Sequence, residues 1–331
     1  MRIGSCCFKD KEIRNFIESV TSEVVKCDVS RNTCPVIEIE ELADFFEAVL
    51  SLFEPDDKGT PISSLFVNLG IFENVQFSKK ILNELFQKSG KKIKPNSKMS
   101  FIPQIKRCST EWDKLKTEVR EQKRFFADLT SFKWEAYLKP DETINKDAVF
   151  YRSRVLPESR TRLKPSDMGC PPKEQATAGR ANPFGIPYLY LSSPMETTYY
   201  EVRSLFKDIL YVGKFIIQED LKVVNFTNDI SLFYAYSTSS SSSLVDVCKK
   251  RMIIELISHD MSKPLRRYDK EIEYVPTQLI CEFCKHKGAD GIIFRSSLYD
   301  KGVNLVVFDE KKATCNSVNK KEITAVTITA N

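Results

Sequence analysis

The strongest hydrophobic period in the chain falls at residues 38–53, EIEELADFFEAVLSLF, where Leu42, Phe45, Phe46, Val49, Leu50 and Phe53 recur at three- and four-residue steps. That spacing gathers them on one side of a helix and predicts an amphipathic element with an aromatic-rich buried stripe. A second helix is predicted over residues 78–87, with Ser78 as N-cap, Ile81, Leu82, Leu85 and Phe86 on one face, and Gly90 as the stop. A third, over residues 110–126, opens on a threonine, is rich in helix formers and has few apolar positions, so it should be half-solvated. Residues 1–140 therefore read as an all-helical domain.

After Pro140 the texture changes. AVFYRSRV, IPYLYLSS, ILYVGKFII, LKVVNF, GIIFRSS and VNLVVFD are short runs rich in β-branched and aromatic residues, bounded by Gly, Pro and Asp, and they predict strands. Helices are predicted between them at about residues 195–204, 245–258 and 277–286. The second half is thus a mixed α/β domain, over residues 145–310, and the whole chain is α+β. The serine run at residues 237–243 has nothing to bury and predicts a mobile loop. The tail, residues 311–331, ends in alternating Thr and apolar residues that suit one added edge strand.

The composition fits this picture: 331 residues, 42% hydrophobic and 29% charged, are enough for two domains with proper cores. A net charge of +5 is too mild and too spread to mark a nucleic-acid surface, so nucleic acid is not an expected partner. The N-terminus reaches charged residues too early for a signal peptide, and no segment approaches the ~20 apolar residues that span a bilayer. A cytoplasmic protein that does not enter membranes is expected, with its ten cysteines reduced. Cys6, Cys7, Cys27 and Cys34 are numerous enough for a tetrahedral zinc site. Their spacing is not that of paired C-x₂-C knuckles, and free thiols, with no metal, are the expectation. Cys281 and Cys284 do form C-x-x-C, but on the apolar face of a predicted helix, as core residues.

Absent motifs narrow the chemistry. There is neither a G-x-G-x-x-G turn nor a P-loop, and only two histidines, His259 and His286, exist to serve a triad or a zinc hydrolase. Catalysis, if any, must manage almost without histidine. The informative blocks are FYRSRV (150–155), AGRANPFGIPYLYLSSPMETTYYEVR (178–203), YVPTQLICEF (274–283) and ADGIIFRSSLYDKGVNLVVFD (289–309). Taken singly, Arg152 and Glu201 read better as surface residues and Tyr190 better as plain core than as parts of a site, and Ser296 alone carries nothing; their joint order is what matters.

In these blocks the chain resembles the RES domain family, named for its Arg, Glu and Ser, whose members consume NAD⁺ and are best known as bacterial toxins. The resemblance makes Arg152, Glu201 and Ser296 the three signature residues, with Ser297 adjacent to the last. It makes Arg180 and Tyr190 further pocket positions, with Arg152 and Arg180 toward the NAD⁺ pyrophosphate. Ser153 stands where many relatives carry an aromatic residue, which leaves one stacking contact in doubt. The resemblance implies an ADP-ribosyltransferase-like fold, cleavage of the nicotinamide–ribose bond, phosphate or water as acceptor, and a toxin restrained by a protein antitoxin. Transfer of ADP-ribose to a macromolecule and a non-catalytic binding module are the alternatives, and a homo-oligomer is compatible with the sequence. The N-terminal segment resembles the helical HEPN/RES N-terminal domain, in which paired cysteines are usual. Residues 1–140 contain no histidine, so HEPN-type ribonuclease activity is not expected.

The residue types suit that chemistry. Planar guanidinium forks bind pyrophosphate bidentately, a tyrosine ring stacks on nicotinamide, and a carboxylate near the ribose stabilises an oxocarbenium-like state. A neutral nicotinamide leaving from a cation needs no general acid.

Overall fold

Where the apolar residues recur, the chain folds into the elements that bury them, and most of the runs above become strands or helices. The computed structural model describes residues 1–90, 92–157, 159–227, 230–238, 243–263 and 271–326. In chain order they begin with β1 (Arg2–Gly4), α1 (Lys11–Val20), β2 (Val24–Lys26), β3 (Thr33–Glu38), α2 (Ala43–Leu50), β4 (Phe53–Pro61), α3 (Ile62–Asn68), α4 (Val75–Lys88), β5 (Lys98–Phe101) and α5 (Pro103–Glu121). There follow α6 (Trp134–Tyr137), β6 (Glu142–Ile144), β7 (Val149–Val155), β8 (Leu189–Ser193), α7 (Thr197–Glu201), β9 (Ile209–Ile217) and β10 (Leu221–Asn225). The chain ends through α8 (Leu232–Ser237), α9 (Leu244–Ser262), α10 (Val275–His286), β11 (Gly291–Arg295), β12 (Val303–Val307) and β13 (Ala313–Glu322). Short 3-10 turns fill some of the intervals. The architecture is α+β. Contacts group the chain into two compact units, Met1–Cys108 with Asp229–Met252, and Ser109–Asn228 with Ile253–Asn331.

The first unit is helix-rich but not all-helical. It holds an antiparallel sheet in the order β1-β3-β2 and a β4–β5 pair. These strands escape a reading of apolar runs because β1 and β2 are three residues each, and β4, FEPDDKGTP, is polar and carries two prolines. The stripe at residues 38–53 is divided: Ile39–Leu42 form a 3-10 turn, α2 buries Phe45, Phe46, Val49 and Leu50, and Phe53 opens β4 opposite Phe101. A buried apolar residue is served by a strand as well as by a helix, so periodicity alone does not place the break. The α4 cap is Asn74, whose Oδ1 accepts from the Phe77 amide at 2.9 Å. Ser78 is instead one turn inside, buried, with its hydroxyl donating to Ser63 O at 2.8 Å. The third helix starts at Pro103 rather than near residue 110, proline being well suited to a first helical turn, and ends at Glu121. Phe8, Phe46, Phe66 and Phe72 pack at centroid separations of 5.4 to 6.4 Å in the core of this unit, stacked except for the tilted Phe46–Phe66 pair. Each such pair contributes about 0.5–1.5 kcal/mol beyond its burial.

The second unit is built on an eight-stranded sheet in the order β13-β9-β7-β8-β12-β11-β10-β6. Only β10–β11 is parallel; the chain between them includes α10, as a crossover between parallel strands requires. The tail joins the sheet through β13, which pairs along its length with β9 but comes from the polar stretch ahead of the alternating Thr residues, where the strand is expected; residues 327–331 lie outside the described part, as do residues 239–242 of the serine run. Period-2 alternation separates the two faces of the central strands. Leu189 and Leu191 of β8, Leu305 and Val307 of β12 and Ile293 of β11 bury on one face. Ser192 and Asn304 lie on the other, directly opposite each other in the β8–β12 register.

One junction departs from regular pairing. Whereas β7 runs beside β9 over seven ladder positions, it meets β8 at one, Tyr151 with Ser192. The sheet opens there, and residues of both strands line the cavity described next.

Candidate active site

The polar face of β8 and β12 carries a connected set of side chains. Ser192 Oγ donates to Asn304 Oδ1 at 2.7 Å, and the same amide donates through Nδ2 to Glu201 Oε1 at 2.7 Å. An asparagine has one acceptor and one donor end, so these two bonds fix its orientation. Glu201 closes α7, a helix of five residues, and its Oε1 also accepts from Ser296 Oγ at 2.7 Å. Ser296 follows β11, is buried, and has its own oxygen held by the Leu298 amide at 3.2 Å. Two donors therefore share Oε1, each bond to the carboxylate contributing about 1.5–3 kcal/mol, and Oε2 has no protein partner among the described residues.

The two elements that bring Glu201 here are fastened at their other ends. Ser153 of β7 donates to Thr198 Oγ1 of α7 at 2.6 Å, while Thr198 donates onward to Met195 O at 2.7 Å. Ser153 thus serves as a strand-to-helix tie. Gly302, in the β11–β12 loop, accepts from the Ser296 amide at 2.9 Å. A Cβ at Gly302 would stand 2.6 Å from Thr197 Cγ2 and 3.0 Å from Ser296 Cβ. Gly302→Ala should therefore cost about 1–3 kcal/mol as overpacking, lowering the melting temperature by several degrees and displacing Ser296; thermal unfolding checks the first and activity the second.

A cavity of about 440 Å³ lies over this network, lined by Arg152, Ser153, Arg180, Tyr190, Ser192, Glu201, Arg203 and Asn304 among others. That is within the usual range for a small-ligand site. Arg152 is the notable wall residue: its Nη1 is buried with no hydrogen-bond partner. Burial first, and then the neighbouring Arg154, hold its guanidinium below its ordinary pKa. Cys170 and the Glu310 charge act the other way; arginine stays charged even so, and an anionic ligand would give the partnerless Nη1 an acceptor.

Arg180 sits in the GRANP loop at residues 179–183. Its Nη1 donates to Met261 O at 2.6 Å, and its carbonyl accepts from Thr277 Oγ1 at 2.7 Å, so one edge of the guanidinium is committed to the protein. Tyr190 presents its ring to the cavity and uses its hydroxyl to hold the same loop, donating to Asn182 Oδ1 at 2.8 Å and accepting from Ala181 N at 3.0 Å. Burial pushes its phenol pKa up. Gly179 is required here, since a Cβ would meet Asn182 Oδ1 at 2.5 Å and Tyr190 Oη at 2.8 Å.

All five residues singled out in the sequence, Arg152, Arg180, Tyr190, Glu201 and Ser296, belong to this one region; four line the cavity and the fifth, Ser296, reaches it through Glu201. It is Ser296, not Ser297, that reaches the carboxylate. Four contributors were not signalled: Asn304 and Ser192, ordinary polar residues within strands; Gln278, whose amide bonds the Gly179 and Asn182 carbonyls at 2.8 and 3.0 Å; and Arg203, an exposed arginine with a left-handed backbone (φ 52°) at the cavity edge. A strand polar residue facing inward beside Leu305 was the available cue for Asn304.

Among the described residues no helix is long and apolar enough to cross a membrane. Among solved structures, a chain in the crystal structure of the M. tuberculosis MbcT–MbcA toxin–antitoxin complex matches with a TM-score of 0.35 and 15% identity, over 56% of this chain and 90% of that one. No curated protein matches. Residues 149–328, more than half of the chain and the whole span from β7 through the cavity to β13, match the RES domain model, and the chain belongs to the RES domain family.

Proposed function

We propose that this chain breaks the nicotinamide–ribose bond of NAD⁺ and passes the ADP-ribosyl group to phosphate or water. The observation that carries the reading is the Glu201 carboxylate, pinned through one oxygen by Ser296 and Asn304 with the other left for a ligand, at a cavity walled by an arginine whose buried Nη1 has no partner. Membership of the RES domain family supports the same chemistry.

The proposed roles follow from the groups. Arg152 and the free edge of Arg180 bind the pyrophosphate, Arg152 Nη1 gaining the acceptor it lacks. The Tyr190 ring packs against the nicotinamide. Glu201 Oε2 accepts from a ribose hydroxyl and faces the positive charge that develops as the C1′–N bond lengthens, the bonding pair leaving with nicotinamide. Ser296 and Asn304 are positioning residues that keep the carboxylate aimed. Phosphate then yields ADP-ribose 1-phosphate, and water yields ADP-ribose and a proton. We read the chain further as a cytoplasmic toxin or defence effector held in check by an antitoxin protein, and residues 1–140 as a HEPN-like accompaniment without ribonuclease activity.

The test incubates purified full-length protein with NAD⁺, with and without phosphate, and separates the products. Nicotinamide release, with ADP-ribose or its 1-phosphate in equal amount, is expected. Nicotinamide release with label retained on a protein or nucleic acid identifies a transferase instead, and intact NAD⁺ removes the enzymatic reading.

A further inference from the structure

Outside the cavity, the first unit brings together cysteines that are far apart in sequence. Cys6 and Cys7 lie in the Ser5–Cys7 3-10 turn after β1, Cys27 follows β2, and Cys34 lies in β3. The sulfurs of Cys6, Cys7 and Cys27 are all within 4.8 Å of one another. Cys7 and Cys27 Sγ are 3.5 Å apart. Around a tetrahedral zinc ion with Zn–S bonds of about 2.3 Å, neighbouring sulfurs stand about 3.8 Å apart, so closure needs only small side-chain shifts.

The fourth sulfur is located by a glycine. A Cβ at Gly4 would fall 2.2 Å from Cys34 Sγ and 3.1 Å from Cys6 Sγ, which puts the Cys34 thiol in the space a side chain at position 4 would fill. The surrounding donors form the second observation. The amides of Val29 and Ser30 point at Cys27 Sγ at 3.4 and 3.5 Å, and Ser30 Oγ is 3.0 Å from Cys6 Sγ. Backbone amides converging on a buried sulfur two and three residues back favour a thiolate, the form a metal binds and an apolar core does not. A cluster of four thiols with its own amide donors is more than core packing requires.

We propose that Cys6, Cys7, Cys27 and Cys34 form a four-thiolate site for one structural zinc ion, which fastens the β1 turn to the β2–β3 hairpin. On binding, the four thiol protons pass to solvent and the ion offsets two of the four thiolate charges, with the Val29 and Ser30 amides facing the Cys27 sulfur. The expectation of free thiols rested on sequence spacing, and β3 supplies what the spacing lacks by carrying Cys34 back beside the turn.

Elemental analysis of the full-length protein, purified without chelator, should find about one zinc per chain, and cobalt substitution should give the visible bands of a tetrahedral thiolate site. Cys27→Ser and the half-exposed Cys6→Ser should each lose most of the metal, while Cys315→Ser keeps it. Wild-type protein without metal and with all ten thiols free to react, or a Cys7–Cys27 disulfide found by mass spectrometry, overturns the proposal, and neither result depends on a variant folding. NAD⁺ turnover is read separately, so the fate of one proposal does not decide the other.

Discussion

Glu201→Gln should fold as the parent does and release nicotinamide about a thousand-fold more slowly. The amide keeps an oxygen to accept from Ser296 and Asn304, so the network on β8 and β12 survives and the melting temperature stays within a degree or two. What is lost is the negative charge that faces the ribose as the glycosidic bond breaks. That loss belongs to the transition state, so kcat falls while KM for NAD⁺ moves little. Equal turnover by wild type and variant would remove Glu201 from the chemistry. Asn304→Ala, by contrast, keeps the charge and loosens its aim, and a drop smaller than that of Glu201→Gln fits a positioning role.

Arg152→Met is expected to separate binding from stability. Removing the guanidinium takes away a charge-assisted contact to pyrophosphate, a loss of about 1.5–3 kcal/mol, which raises KM for NAD⁺ roughly ten- to a hundred-fold. The same change deletes a half-buried guanidinium whose buried Nη1 has no partner and places a flexible apolar chain in its space. Such replacements are neutral or stabilising. The variant should therefore melt no lower than wild type while binding NAD⁺ poorly, as seen by calorimetry with and without ligand. A lower melting temperature with unchanged KM would make Arg152 a structural residue instead.

Much of the second unit was legible because its strands advertise themselves. Runs such as ILYVGKFII and VNLVVFD are bounded by turn residues, and each became a strand within a residue or two of the reading. The first unit was harder for a physical reason. Its strands are three to nine residues long, partly polar, and placed by tertiary pairing, so β4 with its run of charges gives no hydrophobic signal. The candidate site divides the same way. Arg152, Glu201 and Ser296 were accessible through the order of the family blocks, whereas Ser192 and Asn304 gain their meaning only from the β8–β12 register that sets them face to face. The cysteine cluster is a third case, since the feature that completes it is a missing Cβ at Gly4.

The single rung between β7 and β8 gives this sheet an edge in its interior. Exposed strand edges invite pairing with other chains, and proteins shorten, charge or cover them. Here two strand edges face a cavity with β9 and β12 paired on their outer sides, so main-chain donors and acceptors can stand unpaired by any neighbouring strand without offering another protein a place to add one. A ligand seated in the cavity beside Tyr151 and Ser192 would lie across that gap and tie the two halves of the sheet together.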